Sequence, residues 1–246
     1  MIHYVFRYSK QGDMRYISHL DVQRLFQRMF RRINVEISHT KGYHPKPMMY
    51  IALPLSLGFE SVCELVQIVT LKHYDIRFLT DAANAALPDG IRILETYEIE
   101  PSAKSIPSLV EFAGYDIRIP VGQFGISKLD IESFYLQNSI IVNKIDKRTK
   151  RMVEKEARNS IIHMEWVDCS DGILHIRAVL KASGPESLNP MLLAEALCTH
   201  VACEFKKEAC RIVRTELYCS ENESPEPLIS YLIHARPHER SFADQV

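Results

Sequence analysis

Along the first hundred residues the spacing of apolar positions changes repeatedly, and each change marks an element. Residues 2–8 alternate apolar and polar as a half-buried strand does. Val22, Leu25, Phe26, Met29, Phe30 and Ile33 then recur at the three-and-four spacing of one buried helical face. Ser18-His19-Leu20-Asp21 stands before them as a Ser-x-x-Asp capping box, so a helix is predicted to open after Ser18 and to end near Asn34. A loop rich in Gly, His and Pro follows. Strands are predicted at 48–53 and 62–71, parted by Pro54 and Gly58, with a short extended piece at 35–38 as an option. An alanine-rich helix at 76–87 is stopped by Pro88-Asp89-Gly90, and Ile91–Ile99 closes the set as a strand. This is the β-α-β-β-α-β order of the ferredoxin-like split motif.

Residues 100–108 carry Pro101, Pro107 and three serines, the composition of a linker. Beyond them come a strand at 111–119, a helix at 127–138 capped by Ser127 and Asp130, and extended structure at 140–146. A hairpin at 161–167 and 173–182 turns on Ser170-Asp171-Gly172. Asn189 caps a helix at 190–203 with Pro190 in its first position, and 211–218 alternate cleanly as a last strand. The second half thus repeats the order of the first with one extra basic excursion. The expected architecture is α+β: two tandem ferredoxin-like (βαββαβ) units with antiparallel sheets, at 1–104 and 105–220. A docked or frayed tail is expected at 221–246.

The formal net charge of −1, with 46% hydrophobic and 25% charged residues, is that of an ordinary globular chain. The total hides an imbalance: residues 1–50 hold nine Lys and Arg against Asp13, Asp21 and Glu36. Arg24, Arg28 and Arg31 form a ridge on the helix face opposite its apolar stripe, with Gln23, Gln27 and Arg32 beside them. The loop adds Lys41, His44 and Lys46. A second patch gathers Lys144, Lys147, Arg148, Lys150, Arg151, Lys155 and Arg158 against Asp146, Glu154 and Glu156. Rows of guanidinium and ammonium groups suit the phosphates of an extended polyanion, the helix ridge the more so for lacking acidic partners four residues away; a solvated helix face or a guarded strand edge is the alternative. Tyr43 and His44, held in a loop by Pro45 and Pro47, are tips that can stack on a base or meet a partner. A core position for Tyr43 is the other reading.

Residues with catalytic potential are few. Asp21 and His44 are the candidates for an acid or base, and His19, His39 and His44 lack the spacing of metal ligands. Phosphate loops, nucleophile elbows and HExxH are all absent from the sequence. The six cysteines show no CxxC pair and read as reduced, packed thiols, and neither a metal nor a cofactor is expected. No apolar stretch approaches the roughly 18 residues of a membrane span, and the amino end does not read as a signal peptide, so a cytoplasmic protein is expected.

Three stretches resemble the radical SAM-linked protein family, a bacterial domain of unknown function. They are Gly12-Asp13-Met14-Arg15-Tyr16-Ile17-Ser18-His19-Leu20-Asp21, Lys41-Gly42-Tyr43-His44-Pro45-Lys46-Pro47 and Leu53-Pro54-Leu55-Ser56-Leu57-Gly58-Phe59-Glu60-Ser61. Arg211-Ile212-Val213-Arg214-Thr215-Glu216-Leu217 resembles the family's closing strand. The resemblance implies a domain found alone or fused behind a cobalamin-binding-type radical SAM protein, and it brings no established activity. The family loop usually reads Gly-Phe-Asn/Ser-Pro-His-Pro, so here His44 and Lys46 occupy its Asn/Ser and His positions. That departure favours a role that tolerates either His or Lys, such as contact with phosphate or with a protein.

The combined expectation is an accessory module for a radical SAM modification enzyme that binds RNA (tRNA or rRNA) or a ribonucleoprotein. Arg15, Arg24, Arg28, Arg31, Lys41, Tyr43, His44, Lys46, Lys147, Arg148, Lys150 and Arg151 are its candidate contacts. An RNA-modifying or RNA-processing enzyme, resembling pseudouridine synthases or CRISPR-repeat endonucleases by fold analogy, is the first rival. A protein-only scaffold, which would expose an apolar patch, is the second.

Overall fold

The opening alternation runs two residues beyond its predicted end, because the first strand continues to Lys10. The structure, a computed structural model, describes residues 1–102, 104–145, 149–221 and 224–234. In chain order it contains β1 (Ile2–Lys10), a 3-10 turn at Gly12–Tyr16, α1 (His19–Arg32), β2 (Met49–Ile51), β3 (Glu60–Thr70), α2 (Ile76–Ala86), β4 (Ile91–Ile99) and α3 (Ile106–Leu109). There follow β5 (Phe112–Pro120), α4 (Lys128–Tyr135), β6 (Ile141–Ile145), β7 (Met152–Glu156), β8 (Ile161–Ser170) and β9 (Ile173–Lys181). The chain then forms α5 (Pro190–His200), β10 (Arg211–Glu221), β11 (Ser224–Pro227) and α6 (Leu228–His234). It is a mixed α+β protein with antiparallel strand pairing throughout the registers β1–β3, β1–β4, β2–β3, β5–β9 and β8–β9.

Two compact units divide these elements. The first holds Met1–Val110 together with the described residues from Glu216 on, and the second Glu111–Thr215. Whereas composition divides the chain at residues 105 and 220, β10 contributes its early residues to one unit and its late residues to the other. A strand belongs where its ladder partners are, which linker composition does not reveal.

In the first unit the order is β4-β1-β3, with β2 paired to β3 on the side opposite β1. Tyr4, Phe6 and Tyr8 of β1 project to one face with Val66 and Ile68 of β3 and Ile91 and Ile93 of β4. Helix α1 lays Val22, Phe26, Met29 and Phe30 on that face, and α2 adds Leu79 and Ala83. Phe26 is fully buried, with its ring 4.7 Å from Tyr8 and 6.2 Å from Phe30. Ser18 caps α1 as predicted, its hydroxyl oxygen accepting the Asp21 amide. The predicted tail is docked as far as it is described: β11 pairs with β10, and α6 buries Leu228, Ile229 and Leu232.

In the second unit the order is β10-β5-β9-β8, and β6 and β7 pair apart from it as a two-stranded arm. Ser127 and Asp130 complete a capping box on α4. The β8–β9 turn places Asp171 at φ 50° and Gly172 at φ 72°, the double positive φ of a type I′ hairpin. A Cβ on Gly172 would meet the Gly122 carbonyl oxygen at 2.7 Å, so the position admits no side chain.

Replacing Phe26 by Ala should lower unfolding free energy by about 3–5 kcal/mol, read as a shifted urea midpoint for the first unit. In the arm, the Glu156 carboxylate accepts the Ser139 hydroxyl and the amides of Ile140 and Arg158, at 3.0 and 2.8 Å for the amides. These bonds, Ser139 first, pull its pKa down to about 2. A depressed folded pKa stabilises above the unfolded value and is lost as pH falls, so the arm should loosen between about pH 4.5 and 2. An NMR titration of Glu156 with its midpoint at 4.5 would refute this.

Candidate nucleic-acid interface

Helix α1 has one face buried against the sheet, so its other face must meet water. Arg24, Arg28, Arg31 and Arg32 are all exposed there. Arg24 pairs with Asp21 at 3.2 Å and Arg32 donates to the Ala86 carbonyl at 3.0 Å. Arg28 and Arg31 have no ion-pair partner among the described residues. The Asp21–Arg24 pair is solvated, and pairs of that kind contribute little and yield readily to a stronger anion. At the usual 1.5 Å rise, Arg24, Arg28 and Arg31 are separated along the axis by about 6 and 4.5 Å. Arg15 differs from the ridge: its guanidinium lies 4.0 Å from Glu60 and 4.8 Å from the Tyr16 ring centroid, so it is partly neutralised.

The loop after α1 is a closed finger. Its base is tied by Ser38 N–H to Val69 O at 2.8 Å and Met48 N–H to Ser38 O at 2.7 Å. Higher up, Thr40 N–H donates to Lys46 O at 2.9 Å and Lys46 N–H to the Thr40 hydroxyl at 3.0 Å. Lys41, Tyr43, His44 and Lys46 are exposed, and neither lysine has an ion-pair partner among the described residues. Tyr43 is 94% exposed, which removes the core reading for it; its ring stands edge-to-face with His44 at 4.9 Å.

The basic excursion of the second unit divides by role. Lys155 is spent on the fold, its ammonium donating to Pro185 O at 3.0 Å and Ser187 O at 2.8 Å, and burial lowers its pKa. Arg158 stacks 4.4 Å from the Tyr135 ring centroid. Lys150 and Arg151 are exposed. Lys147 and Arg148, predicted as contacts, lie outside the described residues.

The acid–base candidates do not come together. Asp21 is exposed, and the Ser18 hydroxyl, followed by Arg24, holds its carboxyl below the ordinary value. It is therefore ionised at neutral pH and cannot act as an acid there. His44 stands at the finger tip. Neither lines the cavity of about 10 Å³ under the start of α1 or the cavity of about 240 Å³ among α4, β6 and α5.

Sequence reasoning missed a buried charged cluster. Lys10, Glu60 and Glu64 are 2%, 4% and 1% exposed. The Lys10 ammonium donates to Arg15 O at 3.3 Å and Ile17 O at 3.2 Å, and Glu60 accepts the Gly12 amide at 2.9 Å. Gly58 N–H meets Arg15 O at 2.9 Å. The stretches at 12–21 and 53–61 thus meet around these side chains, and Lys10, His19 and Glu64 line the smaller cavity with Leu53 and Leu55. Lys10 escaped notice because the register slips between Tyr8 and Lys10. Glu64 carried a signal: it interrupts a strand apolar on both faces, where any side chain is buried.

Among the described residues no group of three or more His, Cys, Asp or Glu is placed to hold a metal, and no helix is long and apolar enough to cross a membrane. All six cysteines are free thiols; burial raises the pKa of Cys198 and lifts that of Cys210 to about 11.

One protein-family model matches residues 3–190, most of the chain. The chain belongs to DUF2344, a family of uncharacterized proteins conserved in bacteria. No curated protein matches it. Among solved structures it is similar to a chain of "a Cbf5-Nop10-Gar1 Complex", with 11% identity and TM-score 0.49, covering 89% of this chain and 50% of that one. A chain of an "H/ACA RNP bound to a substrate RNA containing 2'-deoxyuridine" gives 10% identity and 0.45, covering 87% and 47%. A chain of "the archaeal box H/ACA sRNP Nop10-Cbf5 complex" gives 10% and 0.42, covering 86% and 46%. This member of DUF2344 spans about half the length of those chains, and likeness at these values carries neither fold nor function across.

Replacing Lys10 by Met removes a donor from the Ile17 carbonyl and a cation from the cluster beside α1. Loss of about 1–3 kcal/mol in denaturant unfolding is expected. An unchanged midpoint would mean that the ammonium does not hold the turn.

Proposed function

We propose that this chain is a cytoplasmic RNA- or ribonucleoprotein-binding accessory module built from two ferredoxin-like units, working with a radical SAM modification enzyme. The observation that carries the binding reading is the exposed, acid-poor ridge of α1 together with the finger that follows it in the chain, whose Lys41 and Lys46 have no ion-pair partner among the described residues. Arg24, Arg28, Arg31, Lys41 and Lys46 contact phosphates, and Tyr43 and His44 touch a base or the partner. Lys150 and Arg151 are phosphate contacts of the second unit in their own right, while in the first unit Arg15, partly neutralised by Glu60, contributes less. Support for the ferredoxin-like reading is strand order: β4-β1-β3-β2 in the first unit and β10-β5-β9-β8 in the second, each with two intervening helices and the β6–β7 arm as an insertion. The partnership with a radical SAM enzyme rests on the residue resemblance alone.

Titration of labelled tRNA or rRNA against salt tests the binding reading. A steep fall of affinity with salt is expected, and the Arg24→Ala, Arg28→Ala, Arg31→Ala triple variant should lower the log–log slope by roughly two. Affinity indifferent both to salt and to the triple change would overturn it.

A further inference from the structure

We propose that the Lys41–Lys46 finger is a reader of one unpaired base, so that the RNA class this chain takes is single-stranded, looped or bulged and not continuous duplex. The inference rests on the RNA-binding reading and narrows it. Four features of the finger point the same way.

The first is an aromatic ring with an open face. Tyr43 is 94% exposed and, among the described residues, has one aromatic neighbour, His44, in an edge-to-face arrangement. A ring has two faces, so at least one is left to solvent. A base stacks on such a face whatever its identity, because every base has a π-surface.

The second is rigidity. The two Thr40–Lys46 hydrogen bonds close the finger below its tip, Pro45 and Pro47 fix their own φ angles, and Gly42 sits at φ 136°, where L side chains are strained. The tip is therefore set before a ligand arrives, and little ordering entropy is lost on stacking. The third is charge: Lys41 and Lys46 flank the ring in sequence, both exposed, as a backbone-neutralising pair on either side of a stacking platform would be. The fourth is what the exposed ring requires, a base free of its own stack. A-form duplex keeps its bases stacked on one another and presents a shallow minor groove of hydroxyls, which an aromatic tip cannot enter by stacking.

The test uses the full chain and three labelled probes: a 12-nucleotide single-stranded RNA, the blunt duplex of the same sequence, and the single strand carrying 2-aminopurine. Single strand should bind at least about tenfold tighter than duplex. Tyr43→Ala should weaken single-strand binding about tenfold without changing the salt slope, Tyr43→Phe should restore it, and 2-aminopurine fluorescence should be quenched by the wild type and not by Tyr43→Ala. Equal affinity for duplex, or a Tyr43→Ala variant with wild-type binding and quenching, overturns the finger even if the triple arginine variant still loses affinity. A Tyr43→Ala variant that binds RNA normally but fails to retain a co-purifying protein overturns it in favour of a protein-docking finger. Absence of any RNA binding overturns the broader reading as well. Because Tyr43 packs against no core residue, an unchanged melting curve should accompany each variant.

Discussion

Burial of one face of α1 against the aromatic row of β1 is the constraint from which the rest of the first unit follows. Phe26 and Phe30 can leave water only by lying on Tyr4, Phe6 and Tyr8, and that contact fixes the rotation of the helix about its axis. Once the rotation is fixed, the opposite ridge has no freedom either. Its arginines are held outward by the hydrophobic effect acting on residues they never touch, and so the solvent face is as determined as the core.

Charges in this unit have two contrasting fates. On the outer face of α1 and at the finger they stay hydrated and retain most of their freedom. Beneath the start of α1, Lys10, Glu60 and Glu64 are withdrawn from water, a costly arrangement that persists only where hydrogen bonds compensate. There the compensation is structural: Lys10 and Glu60 satisfy main-chain groups of the turn that leads into the helix. The inner set holds the backbone that presents the outer set, so the two act in series.

Much of the fold was legible. The helix at α1, both Ser-x-x-Asp caps and the Asp171-Gly172 turn follow from local chemistry, in which a side chain answers to neighbours within a few residues. Illegible were features settled by distant partners. The bulge before Lys10 depends on what β3 offers opposite it, and the division of β10 depends on which strands flank each of its ends. The exposed ridge was readable because periodicity defines two faces at once. The position of Tyr43 was not, since prolines announce a loop without saying which side of it faces out.

The β8–β9 hairpin of the second unit carries a constraint that turn sequence alone would not disclose. Gly172 gives its carbonyl to the amides of Val121 and Gly122 at 2.8 and 3.1 Å, and the adjoining backbone leaves no room even for a methyl group. The β8–β9 corner is thereby wedged beneath a neighbouring loop. A protease seeking slack, or an engineer seeking a place to splice in a tag, would find neither there.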